Sequence, residues 1–249
     1  MLSDHQLQQF ETHGHVTVPN LFDHDAVNSA LEDINDWSRE FLTHMSEDQG
    51  KWYLERADAT GRLLRKLDEP VFHRAVFRKM AESPGLVAVV EQIIGSGVSV
   101  FFSQVFCKPP EVGGPKPVHQ DNFYFGPDNL DATLTVWIAL DNATVENGCL
   151  FYGDGSHRGL IYPHFAPPDE PFNLQIPAEK LVDYTMTPAP VPAGGVSFHH
   201  GSTWHQSSSN TSSRPRRAVA MHYLQNDASL VKPALTYDPS VIVRITETP

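Results

Sequence analysis

Beyond Val98 the chain changes character, and that change limits its fold more than any other feature. Val98–Phe102, Val105–Phe106, 118–125, 134–140, 148–152, 196–200 and 217–225 are short apolar or β-branched runs. Turn-forming clusters separate them: prolines and glycines across 109–117, Glu146-Asn147-Gly148, in which Asn-Gly favours positive φ, and Pro192-Ala193-Gly194-Gly195. Short strands with this punctuation predict a sandwich or barrel built from antiparallel sheets. The preceding third reads as helical. Ser3 caps a helix to about Thr12 that Gly14 ends, and Val16-Thr17-Val18 is a short strand. Asp23 caps a longer helix whose Val27, Leu31, Ile34, Trp37 and Phe41 recur at three- and four-residue intervals. Helical patterns return over 70–82 and 84–94, the second with Pro84 in its first turn and Gly95 past its end.

Two stretches read as irregular. Residues 46–60 are polar and mixed, a loop expected to close over a site, with Trp52 either in a pocket wall or serving as a packing anchor. Residues 161–186 form an insertion rich in proline (Pro163, Pro167, Pro168, Pro171, Pro177), and a loop that long inside a compact fold is usually functional. No internal repeat or linker divides the chain. The expectation is therefore one domain over 1–249, mostly helical to about 97, with a double-sheet jelly-roll core over about 98–230. The fold class is mainly β with flanking α-helices.

Charge and cysteine content narrow the function. The formal balance is 18 − 30 = −12, which argues against a nucleic-acid partner, since phosphate backbones need a Lys/Arg stripe. Cys107 and Cys149 lie in apolar runs and read as buried thiols. The polar stretch Ser3–His15 shows no secretory signal, and no apolar run approaches the roughly 18 residues of a membrane span. These features predict a soluble, cytoplasmic protein acting on a small molecule.

The chemistry centres on His119-Gln120-Asp121. On a strand, His119 and Asp121 share a face. One more histidine from a facing strand would complete a 2-His-1-carboxylate set, which holds iron(II) and leaves open positions opposite. His199, His200, His205 and His222 all qualify by position late in the chain.

At this point the chain resembles the phytanoyl-CoA dioxygenase (PhyH) family of Fe(II)- and 2-oxoglutarate-dependent oxygenases. The resemblance rests on Val118-His119-Gln120-Asp121, Leu134 through Asp141, Glu146 through Leu150, Gly155-Ser156-His157-Arg158-Gly159, and Trp204-His205 through Arg217. It implies a double-stranded β-helix, cupin-like core, with His119, Asp121 and His205 as the iron ligands. It also implies that Arg216, 216 − 205 = 11 residues past His205, binds the distal carboxylate of 2-oxoglutarate with help from Ser207. Trp137 and Lys108 would line the co-substrate pocket, as would Gln104 and Gln120. Arg214 and Arg217 read as solvated surface charges, and alternation alone leaves open whether Arg216 or Arg217 faces inward. Asn122, Phe123, Tyr124 and Trp52 are the candidate substrate walls.

The implied reaction consumes O2 and 2-oxoglutarate, releases succinate and CO2, and oxidises an unactivated C–H of a small metabolite or natural-product intermediate. Family members that halogenate lack the carboxylate, so Asp121 favours hydroxylation, desaturation or cyclisation. Two other readings use the same fold: a jelly-roll metalloenzyme without redox chemistry, which has no need of Arg216, and a binding module that has lost catalysis.

Overall fold

The computed structural model describes residues 1–58, 61–168, 170–181 and 184–248. In chain order the elements are α1 (Asp4–His13), β1 (His15–Val18), α2 (His24–His44), α3 (Gly50–Tyr53), β2 (Leu54–Asp58), β3 (Gly61–Leu64), β4 (Lys66–Asp68), α4 (Pro70–His73), α5 (Ala75–Ala81) and α6 (Pro84–Ile94). There follow β5 (Val98–Lys108), β6 (Lys116–His119), α7 (Asp121–Phe125), β7 (Thr133–Ala139), β8 (Leu150–Gly153), β9 (Met186–Ala189), β10 (Val196–His200), β11 (His205–Ser207), β12 (Arg216–Gln225) and β13 (Val243–Arg244).

The caps fall where the sequence puts them. Ser3 forms a reciprocal capping box with Gln6, Gly14 ends α1 in the left-handed region at φ 80°, and the Asp23 carboxylate accepts from Ala26 N at 2.8 Å. The 70–82 pattern divides at Arg74. Its backbone there is extended (φ −127°, ψ 120°), and its guanidinium forks onto the Asp33 carboxylate of α2 at 2.8 and 3.1 Å.

Two antiparallel sheets face each other. Among the described residues the larger runs β1-β10-β7-β12-β5-β13, with β4 also paired to β5, and the smaller runs β6-β11-β8-β9. The large sheet is covered on both sides, so β7 is buried at every position and hides its alternation from a polarity count. One face carries Val136, Ile138, Phe198, Val219 and Met221 onto Val27, Ala30, Ile34, Phe77 and Leu86 of the helices. The other carries Thr135, Trp137, His199, Arg216, Ala220 and His222 into a cavity between the sheets. Two strands of the helical third, β1 and β4, belong to this large sheet. No described helix is long and apolar enough to cross a membrane. Both cysteines are free thiols, Cys149 buried and Cys107 partly so.

Three expectations need correction. The strand expected over 118–125 ends at His119, and Asp121–Phe125 is a helical turn. Asn122 N bonds Gly201 O at 2.7 Å, and Gly126, at φ 56°, closes the turn, so the backbone bonds of this segment are met outside the sheet. The 46–60 stretch is no open loop: a 3-10 turn at Glu47–Gln49, α3 and the β2–β3 hairpin occupy it, apart from residues 59 and 60, which lie outside those described. The runs at 98–102 and 105–106 are one strand, β5, continuous through Ser103 and Gln104 and paired along its length with β12. The 161–186 insertion does lack regular structure over most of its described length, with one bridge between Phe165 and Gln175 and a 3-10 turn at Ala178–Lys180.

The Glu146-Asn147-Gly148 turn supplies a test of local geometry. Gly148 has φ 92°, and a Cβ there would lie 2.5 Å from Ser208 O and 2.8 Å from Lys108 Cδ. Gly148→Ala should lower stability by about 1–3 kcal/mol through backbone strain, before the steric cost is added. Urea denaturation of the two proteins measures it, and equal midpoints would contradict the geometry.

Candidate metal centre

Three donor atoms converge where the small sheet meets α7. His119 ends β6, and Asp121 opens α7 two residues later. Gln120 between them keeps an extended backbone (φ −125°, ψ 127°), so alternation survives past the end of the strand and both side chains turn the same way. His205 opens β11 directly opposite His119 in the antiparallel register. Asp121 Oδ1 lies 3.8 Å from His119 Nε2 and 3.6 Å from His205 Nε2, and the three ligand atoms are mutually within 4.8 Å.

The surrounding bonds aim these atoms. His119 Nδ1 bonds Pro117 O at 2.8 Å and His205 Nδ1 bonds Thr203 O at 3.0 Å. A carbonyl can only accept, so each Nδ1 carries the proton and each Nε2 lone pair faces the centre. Asp121 is held by its other oxygen: Oδ2 accepts from Thr135 Oγ1 at 2.6 Å and from His199 Nε2 at 3.2 Å. His199 is oriented in turn by the Tyr152 hydroxyl at 3.0 Å from its Nδ1, and Thr135 by His222 Nδ1 at 2.9 Å. Burial alone would raise the Asp121 carboxyl; His205, the His199 bond and His222 outweigh it and hold the group well below its ordinary value. Burial, helped by the neighbouring His205, pushes His119 well below 6.5. A carboxylate and two imidazole nitrogens are the donor chemistry of a non-haem iron(II) site.

Arg216 enters the same cavity on β12, on the face shared with Ala218 and Ala220. It is 3 % exposed, yet its Nε and Nη1 have no partner among the described residues. A buried guanidinium with free donors is costly unless an anion completes it. Its carbon lies 5.4 Å from the Trp137 ring centroid, so the indole floors the site. Arg217, on the other face, forks onto Asp141 at 2.8 and 2.9 Å, and Arg214 is exposed. Ser207 lines the cavity beside His205. Lys108 lines it too but gives its ammonium to the carbonyls of Gly114 and Ser208; burial and then Arg216 push it down to about 6. Gln104 lines the wall with its amide on Asp68 at 2.7 Å.

Among the expected substrate residues, Tyr124 and Trp52 line the cavity. Asn122 and Phe123 do not, and neither does Gln120. The Asn122 amide is consumed by Leu130 O, Ser202 Oγ and Thr133 Oγ1, and Phe123 stacks on His164 at 4.1 Å. Gln120 points away and fastens the insertion through Leu160 O, Ser202 O and Tyr162 N. Of the other histidines, His199 supports Asp121 from behind, while His200 bonds Asp131 at 3.0 Å on the far face. His222, another candidate for the third ligand, is buried and stands in the cavity wall, stacked on Phe102. The sequence reading missed Thr135, Tyr152, Lys116, Phe125, Phe172 and Tyr237. A polar residue at alternate places in an apolar strand was the available signal for Thr135.

A family profile described as Phytanoyl-CoA dioxygenase (PhyH) matches residues 10–218. The chain is 27% identical over 191 residues to "Phytanoyl-CoA dioxygenase domain-containing protein 1" of Danio rerio, covering 75% of this chain and 65% of that protein, just under two thirds of its length. Among solved structures it is similar to the non-heme alpha ketoglutarate dependent carbocyclase SnoK of nogalamycin biosynthesis, at 23% identity and TM-score 0.74, covering 98% of this chain and 97% of the other. The epimerase SnoN in complex with Fe3+, alpha ketoglutarate and nogalamycin RO gives 22% identity and TM-score 0.69 over 95% and 92%. At these identities the structural likeness speaks for the fold, the double-stranded β-helix.

The Oδ2 bonds generate one prediction. Thr135→Val should weaken iron(II) binding on the order of 10–100-fold by freeing the carboxylate, whereas Thr135→Ser should retain it. Anaerobic metal titration distinguishes them, and wild-type affinity in the valine variant would refute the positioning role. A second concerns pH in the metal-free chain. Burial holds His199 down to about 3 and His222, His164 and His157 down to about 4, against 6.5 for an ordinary histidine. The unfolded chain then binds more protons between those values, so the stability these rings contribute is complete above pH 6.5 and falls as pH drops below it. Half-buried Glu69, pushed up to about 7 from 4.5, acts in the opposite sense but is outnumbered by the lowered histidines. The thermal midpoint should therefore decline between about pH 7 and about pH 5. A flat or rising midpoint would contradict burial of these rings.

Proposed function

The chain belongs to the phytanoyl-CoA dioxygenase (PhyH) family of iron- and 2-oxoglutarate-dependent oxygenases, and from that premise we propose that it oxidises an unactivated C–H of a small metabolite or natural-product intermediate, with 2-oxoglutarate as co-substrate. The observation that carries this reading is the pairing, in one cavity, of the His119, Asp121 and His205 donor set with the unpartnered guanidinium of buried Arg216. A metalloenzyme without redox chemistry would need the first and has no use for the second.

When bound, iron(II) and 2-oxoglutarate supply the oxidising chemistry, with O2 consumed and succinate and CO2 released. The protein's part is geometric and electrostatic. His119, Asp121 and His205 would hold the ion on one face, leaving the opposite positions to ligands. Arg216 would receive the far carboxylate of 2-oxoglutarate, to which a planar fork is suited, with the Ser207 hydroxyl beside it and Trp137 beneath. Phe102, Tyr124, Phe125 and Tyr237 line the rest and keep water from the reacting centre. Because Asp121 occupies the third position, no gap remains for a halide, and the outcome is hydroxylation or a related C–H oxidation.

Anaerobic titration of the purified protein with iron(II) and then 2-oxoglutarate should produce the weak visible charge-transfer band of the chelate. The band should vanish in His205→Ala. In Arg216→Gln it should require much more 2-oxoglutarate, on the order of tenfold or more, for loss of a charge-assisted pair. Wild-type protein that binds iron without the band would reject 2-oxoglutarate as co-substrate.

A further inference from the structure

Strand β6 pairs with β11 through His119–His205 and Lys116–Ser207. Two residue steps along β11 therefore match three along β6, and the register carries a bulge. A bulge reverses the side to which the residues beyond it point. Without it Lys116 would join Val118, which packs outside the cavity with Ile176 and Trp204. With it Lys116 stands in the wall of the cavity that holds His119.

An ammonium turned inward calls for a counter-charge, and the carboxylates of the cavity wall, Glu55 and Asp121, are engaged by Arg65 and by histidines. Arg65 and Lys66 also line the cavity, but each has its own carboxylate, Glu55 at 3.3 Å and Asp68 at 2.8 Å. Lys116 has no carboxylate in salt-bridge range among the described residues. One of its three N–H groups bonds the backbone carbonyl of Phe172, and its Nζ lies 4.2 Å from that ring's centroid and 5.8 Å from that of Tyr124. Its ammonium has no second protein acceptor among those residues. Nearby, Tyr237 presents a buried hydroxyl that also has no partner among them. Between Lys116 and Tyr237 the wall carries the aromatic rings of Phe102, Tyr124 and Phe125.

We propose that Lys116 anchors a carboxylate of the substrate, and that the substrate is a small acid whose apolar or aromatic body lies against Phe102, Tyr124, Phe125 and Tyr237. The inference rests on the oxygenase reading of the same cavity and adds the substrate class. Lys108 already spends its ammonium on two backbone carbonyls, so Lys116 is matched to a single negative charge, which favours a carboxylate over a phosphate dianion. It also reconciles an acidic chain with an acidic substrate, since the attraction is confined to the cavity.

The test is calorimetry on the anaerobic protein loaded with iron(II) and 2-oxoglutarate, using acids paired with their neutral amides: phenylacetate with phenylacetamide, indole acetate with its amide, octanoate with octanamide. At least one acid should bind on the order of tenfold tighter than its amide, the margin expected of a charge-assisted bond. Lys116→Met should abolish that preference and Lys116→Arg retain it, with the visible band of the 2-oxoglutarate chelate unchanged in both. Lys116→Gln serves the same comparison if the methionine variant does not fold. The proposal is overturned if no acid is preferred by wild type, if the preference survives loss of the ammonium, if phenyl phosphate binds better than every acid, or if the band is lost with Lys116. A wild-type protein without the band would reject the oxygenase reading instead, while its acid-over-amide preference would still decide the role of Lys116.

Discussion

Everything in the site depends on how Asp121 divides its two oxygens. Oδ2 is held by a threonine and a histidine of the large sheet, and Oδ1 is left facing two histidines of the small one. The carboxylate would therefore be both ligand and strut, and it ties the sheets together at the point where the metal would sit. Burying an ionised carboxylate is costly, and the cost is offset only because four imidazoles and a hydroxyl surround it. Losing Thr135, His199 or His222 would loosen the geometry without removing a donor of the set.

The second constraint is that the large sheet is double-faced. Its helix side is a dry core of branched and aromatic side chains, and its cavity side alternates small residues with the polar ones that serve the site. Helices α2, α5 and α6 are thus more than an exterior coat. By burying one face of β7 and β12 they fix which side of Arg216 and Thr135 looks inward. The cavity reverses the charge of its surroundings: the chain carries a formal −12, yet Arg216 and Lys116 both enter it without a carboxylate in salt-bridge range among the described residues.

Much of this was legible in the residues. Helix caps at Ser3 and Asp23, the strand order of type along the chain and the His119–Asp121 pair follow from local chemistry, which acts within a few residues. The inward choice between Arg216 and Arg217 did not, because both faces of the sheet are covered and alternation loses its polar mark; the Asp141 fork on Arg217 resolves it. The turn at Asp121–Phe125 escaped because Phe, Tyr and Phe favour strands, while the bond from Asn122 N to Gly201 O that draws them into a helix comes from far along the chain. Asn122 was misplaced for the same reason: its amide is taken by Ser202 and Thr133, partners that sequence distance conceals. Lys116 was invisible because a bulge belongs to a strand pair and not to a strand.

The pairing of β1 with β10, of β5 with β12 and of β6 with β11 joins segments that lie far apart along the chain. His119 and His205 themselves are separated by 205 − 119 = 86 positions. Closing such loops is slow relative to forming helices, so the centre is among the last features a folding chain completes. A partly folded chain offers scattered histidines that bind metal weakly and in the wrong combinations. The finished barrel alone presents the facial set, and an ion that prefers it draws the population toward the native state by mass action. Capture of the metal is thus coupled to completion of the topology, so a chain that has not closed its barrel does not carry a redox-active centre.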